Sequence, residues 1–155
     1  MLSLVGDSPR MTTLTYPETS YSPTAPPDIG SKAERERLST PALKAFFKLM
    51  RRWQVRDEDA RRLLGGVSNG PYYQMKKDPA GRILDADELL RVSYLLGIFK
   101  ALNTLHGARL ADQWPNLPNS NRIFHGLSPL DYMKKGGAPA MQNVRRLLDS
   151  RVQGA

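Results

Sequence analysis

The sequence predicts an all-α protein of about seven helices, and three observations carry that expectation. Apolar residues recur every three or four positions through most of residues 32–152, the period of a helix with one buried face. Helix-start residues recur ahead of these stripes: Thr40-Pro41, Asp57-Glu58-Asp59, Ser68 with Pro71, Asp85 with Glu88, and Ser128-Pro129 with Asp131. No strand-like alternation and no internal repeat interrupts the pattern.

Residues 1–31 read as a disordered tail, because Pro17, Pro23, Pro26 and Pro27 fall among Ser and Thr without an apolar period. From Lys32 a charged lead-in helix begins, and Thr40-Pro41 restarts the chain as cap and first helical residue. Leu43, Phe46, Phe47, Met50 and Trp53 then form an apolar stripe opposite Lys44, Lys48, Arg51 and Arg52. Asp57, Glu58 and Asp59 suit the first turn of the next helix, Ala60, Leu63 and Leu64 its inner face, and Gly65-Gly66 its stop. A short helix from Tyr72 to Lys77 follows and closes at Asp78-Pro79. Asp85 and Glu88 form a capping box for a long helix carrying Leu89, Val92, Leu95, Leu96, Phe99, Leu102 and Leu105, the spine of the core. Gly97 inside it marks a close helix crossing or a kink. A short helix runs from Arg109 to Trp114, and residues 114–119 form a loop. Ser128-Pro129 opens a brief helix with Leu127 and Tyr132 as its staple, Gly136-Gly137 stops it, and a last helix from Ala138 to Val152 buries Met141, Val144, Leu147, Leu148 and Val152. The organisation expected is a tail (1–31), a helix-turn-helix-type helical domain (32–107) and a C-terminal unit (108–155).

At 155 residues the chain suits one core, or two small lobes sharing one. No apolar run approaches the roughly 18 residues of a membrane span, and no basic stretch precedes an apolar core at the N-terminus, so no membrane association is expected. The chain has no cysteine, which excludes thiolate chemistry and disulfides and fits a cytoplasmic location. The net charge of +8 is uneven: ten basic and five acidic residues give residues 31–62 a balance of +5, and seven against three give residues 108–155 a balance of +4. Basic surface attracts polyanions without sequence preference, although many solvated faces carry such charge idly.

Two short helices around a glycine turn match a helix-turn-helix. Its second helix would turn Ser68, Asn69, Tyr73, Gln74, Lys76 and Lys77 outward as candidate DNA-binding residues, with Val67, Tyr72 and Met75 inward. Gln and Asn pair with adenine edges, and Lys and Ser with guanine or phosphate. Many helical domains contain the same turn and bind no DNA. No catalytic set is found. His106 and His125 are the only histidines and lack neighbours at metal-site spacing, and the clustered carboxylates sit where helix capping explains them. There is no phosphate-binding glycine loop. A binding protein without cofactor or metal is expected rather than an enzyme; a small hydrolase would need an acid–base pair that the sequence does not offer.

Two stretches resemble the Xre/MbcA/ParS antitoxin family, nearest its ParS branch. Leu63-Leu-Gly-Gly-Val-Ser-Asn-Gly-Pro-Tyr-Tyr-Gln-Met-Lys76 is similar to the family's Xre-like helix-turn-helix core. Trp114-Pro-Asn116, Asn121, Phe124-His-Gly-Leu-Ser-Pro-Leu-Asp-Tyr132, Gly136-Gly137, Val144, Leu147, Leu148 and Gly154 are similar to its toxin-binding domain. The resemblance covers about residues 40–155. It implies an antitoxin that neutralises a cognate RES-domain toxin, an ADP-ribosyltransferase-like, NAD-consuming enzyme, by covering or plugging its NAD pocket with the C-terminal segment. It also implies a homodimer through the helical domain and possible repression of its own operon by binding operator DNA. The toxin-binding residues implied are Trp114, Asn121, Phe124, Arg145, Arg146, Leu148, Arg151, Val152, Gln153, Gly154 and Ala155. The alternative is a dimeric DNA-binding repressor with no toxin-blocking role.

Overall fold

The computed structural model describes residues 29–154. The expected N-terminal tail lies outside the described residues apart from its last three positions. Those three are folded: Ile29 packs on the core, the Ile29 and Gly30 carbonyls accept from the Arg35 guanidinium, and Ser31 Oγ accepts from the Glu34 N–H. Among the described residues the protein is all-α, with six α-helices, three 3-10 turns and no strand.

Helix α1 spans Lys32–Arg52 without a restart at Thr40-Pro41. Proline inside a helix removes one hydrogen bond and crowds the preceding turn. Here Pro41 faces solvent, while Ser39 and Leu43 on either side of it are buried and keep the inner face continuous. The Ser39 hydroxyl also bonds the Arg35 carbonyl and accepts from the Leu84 N–H at 2.8 Å, which anchors the helix just before the proline. Two six-to-one and five-to-two bonds, Val55 N to Met50 O and Gln54 N to Arg51 O, close α1.

Helix α2 (Asp57–Leu63) ends in the same motif, with Gly66 N bonded to Arg61 O and Gly65 N to Arg62 O, and both glycines at positive φ. Helix α3 (Asn69–Lys77) starts three residues earlier than expected. Extended Ser68 ends the turn, and Pro71 falls within the first helical turn, where its missing N–H costs nothing. A 3-10 turn, Pro79–Gly81, leads to α4 (Ala86–Leu105), whose capping box is complete: Asp85 Oδ1 accepts from Glu88 N at 2.8 Å and Glu88 Oε1 from Asp85 N at 3.0 Å. Helix α5 (Ala108–Gln113) and 3-10 turns at Trp114–Asn116 and Arg122–Phe124 precede α6 (Pro129–Gly154).

Gly136-Gly137 ends the short helix as expected: Gly137, at φ 68° and ψ −149°, is non-helical and divides α6 into two helical arms. Glycine alone adopts that conformation readily, and Pro139 just beyond it needs no N–H partner in a new first turn. A short arm (129–136) and a long arm (138–154) result.

Helix α4 is the centre of the molecule. Helix α1 runs beside it in the same direction, Ser39 meeting Leu84 at one end and the Arg52 guanidinium lying 5.3 Å over the Phe99 ring at the other. Helix α6 covers another side. The expected inner residues Leu43, Phe46, Phe47, Met50, Trp53, Leu63, Leu64, Leu89, Val92, Leu95, Leu102, Met141, Val144 and Leu148 are buried in one continuous cluster. Leu96, Phe99, Leu105, Leu147 and Val152 lie half-buried at its margin.

Candidate functional site

The candidate toxin-binding residues divide into two groups. Phe124 and Leu148 are 0% exposed and belong to the core. Phe124 lies edge-on between Trp114 and Tyr132, with ring centroids 5.9 and 5.3 Å away. Asn121 is a local cap, its Oδ1 accepting from Ile123 N at 3.1 Å. Asn116 ties the preceding turn to the end of α1 by donating to the Trp53 carbonyl at 2.7 Å. Trp114, half-buried, and the loop after it are thus held against the core, and as they stand Phe124 and Leu148 offer nothing to a partner.

The second group lies on the long arm of α6. Arg146, Arg151, Gln153 and Gly154 are exposed and Val152 is half-buried; Ala155 lies outside the described residues. Among the described residues no acidic side chain pairs with Arg146 or Arg151. Arg145 differs from both. Its guanidinium fills the space where Gly97 of α4 lacks a side chain, a Cβ there falling 2.5 Å from Cζ. It donates to the Ser93 carbonyl at 3.3 Å and lies 3.5 Å from Asp149 Oδ2. Burial lowers the Arg145 pKa and raises that of Asp149, whose Oδ1 is buried without a partner. Gly97 is thus a close crossing, and what crosses it is an arginine rather than a backbone.

The short arm is anchored to α2. Ser128 caps it as expected, Oγ accepting from Asp131 N at 3.1 Å. The Asp131 carboxylate, expected to reach back in a capping box, instead meets Lys134 Nζ at 3.1 Å, and that ammonium also lies 3.2 Å from the buried Asp59 of α2.

On α3 the division into faces follows the sequence. Tyr72 and Met75 point inward, and Ser68, Asn69, Tyr73, Gln74, Lys76 and Lys77 are exposed. Two of these six are engaged within the chain. Asp57 Oδ1 accepts from Lys76 Nζ at 2.8 Å and from the Tyr72 hydroxyl at 2.7 Å, and Oδ2 accepts from Tyr73 at 3.4 Å. Lys76 and Tyr72 hold the Asp57 carboxyl below the usual carboxylate range, and burial together with that carboxylate pushes the Tyr72 pKa up. The first-turn acids of α2 were assigned to the helix dipole alone. Nothing in their spacing from Lys76, nineteen residues on, signals the pairing.

Among the described residues no cluster of three His, Cys, Asp or Glu side chains could hold a metal ion, and no helix is long and apolar enough to cross a membrane. No family model matches the sequence, and no solved structure matches it. Uncharacterized protein y4oB of Sinorhizobium fredii (strain NBRC 101917 / NGR234) is 36% identical over 130 residues, covering 83% of this chain and 98% of y4oB. At that identity, over nearly all of the relative, the chain belongs to the same family as y4oB.

Proposed function

We propose that the chain is an antitoxin that binds a cognate RES-domain toxin and covers or plugs its NAD-binding site with the end of α6. The observation that carries this reading is the exposed end of the long arm: Arg151, Gln153 and Gly154 project beyond Leu148, the last fully buried residue, and Arg146 is exposed just before it. Arginine is well suited to desolvated interfaces because its planar fork pairs with carboxylates in two-point fashion. Buried Met141, Val144 and Leu148 hold the arm, so its free end is presented at low ordering cost. In cells expressing the toxin, the full chain restores growth and NAD. A chain lacking residues 150–155, with its remaining helices intact, does not. Full protection by the truncated chain overturns the plugging mechanism, and absence of toxin binding by the full chain overturns the antitoxin reading.

A dimeric DNA-binding repressor is the second reading, supported by Ser68, Asn69, Gln74 and Lys77 exposed on one side of α3. In that reading Asp57 competes with phosphate for Lys76. Asp57→Asn then strengthens binding to the chain's own promoter and steepens its salt dependence. An unchanged gel shift rejects it.

A further inference from the structure

We propose that Arg91 couples the turn ahead of α3 to the break in α6, so that what happens at one glycine joint is felt at the other. Arg91 lies on α4 between the two joints, and two of its three guanidinium nitrogens donate hydrogen bonds. Nε donates to Asp87 at 2.8 Å, and Nη1 donates to the Leu63 carbonyl at 3.4 Å, in the last turn of α2. A Cβ on Gly137 would stand 3.4 Å from Nη2, and one on Gly65 would stand 3.4 Å from Asp87 Oδ2 and 3.5 Å from Arg91 Nε. Both glycines have positive φ, 116° at Gly65 and 68° at Gly137. The guanidinium therefore lies within van der Waals reach of both joints. A change of backbone angle at Gly137 moves the wall on one side of Arg91, and the other side is hydrogen-bonded to the helix that delivers the chain into α3. The end of α6 and the outer side of α3 are joined through one residue that touches neither.

Amide hydrogen exchange on the isolated full chain tests it. Arg91→Ala quickens exchange about three- to tenfold at Gly65 and Gly66 and at residues 136–138 together, while the α1 amides around Phe46 are unchanged. Arg91→Lys keeps a cation beside Asp87 but cannot also hold Leu63, so it behaves like Arg91→Ala. Gly137→Ala shifts the Gly65 and Gly66 amide signals in the wild-type background and leaves them unmoved in the Arg91→Ala background. Loosening at only one joint, full rescue by lysine, or a Gly137→Ala effect independent of Arg91 each overturns the proposal. Where Ala at 137 unfolds the chain, the two Arg91 variants decide alone.

Discussion

At the scale of single residues, two side chains sit where their local chemistry makes a sharp expectation. Gln54 closes α1 in the left-handed region at φ 56°, a conformation that costs a side-chain-bearing residue about 1 kcal/mol and glycine almost nothing. Gln54 is exposed, and only its backbone N–H is used, donating to Arg51. Gln54→Gly is therefore expected to stabilise the fold by about 0.5–1 kcal/mol, less than the full strain because glycine also frees the unfolded chain. The check is a higher urea midpoint with an unchanged slope. Asp57 works through charge. Its folded pKa lies below the unfolded value, so its contribution is fully present above about pH 4 and is lost as pH falls through the lowered folded value. The stability gap between wild type and Asp57→Asn is accordingly constant from pH 7 to about pH 5 and closes in acid; a gap that widened as pH fell would contradict the Lys76 and tyrosine contacts.

At the scale of elements, legibility divided along the line between local and distant causes. The starts of α4 and α6 were readable because Asp85 with Glu88, and Ser128 with the Asp131 N–H, complete their bonds within four residues. Gly65-Gly66 was readable as a stop for the same reason. The break at Gly137 was readable too, since glycine at positive φ leaves the helix through its own backbone. Pro41 was misread as a restart, because whether a helix continues past a proline is decided by the core on either side, here Ser39 and Leu43. Arg145 was expected at the toxin interface from the family resemblance, and its seat is made by Gly97, forty-eight residues earlier, on another helix. The seat predicts an asymmetry. Arg145→Ala empties the notch over Gly97 and leaves the half-buried Asp149 carboxylate without its cation, which costs about 1–3 kcal/mol. Adding Asp149→Ala to it costs little or partly restores stability, since no charge is then stranded. A thermal or urea double-mutant cycle in which the two losses simply add would show that the pair is not coupled.

At the scale of the whole molecule, the boundary expected near residue 107 passes through a shared core. The sequence distinguished a helix-turn-helix-like part from a C-terminal part, because two separate stretches resemble two parts of one family. What it could not express is that α4 is apolar almost all round because it serves both. Helix α1 takes one side of α4, and α6 takes another through Met141, Val144, Leu148 and the Arg145 seat on Gly97. The short arm of α6 reaches across to α2 through half-buried Lys134 and buried Asp59. Removing residues 108–155 would strip Phe124, Leu130, Met133, Met141, Val144 and Leu148 from the cluster. At about 1.5–3 kcal/mol for each large buried side chain, that loss is on the order of 10 kcal/mol, comparable with the entire stability of a domain this size. Residues 32–107 alone are therefore expected to retain helical signal but lack cooperative thermal unfolding and dispersed amide resonances, as a loosely packed chain does. Mixing that fragment with a separate 108–155 fragment should restore both signals, since the interface between them is core rather than linker. A 32–107 fragment that melted cooperatively by itself would mean that α4 can satisfy its second face without α6, and the end of α6 would then be free to leave the body of the protein when it meets a partner.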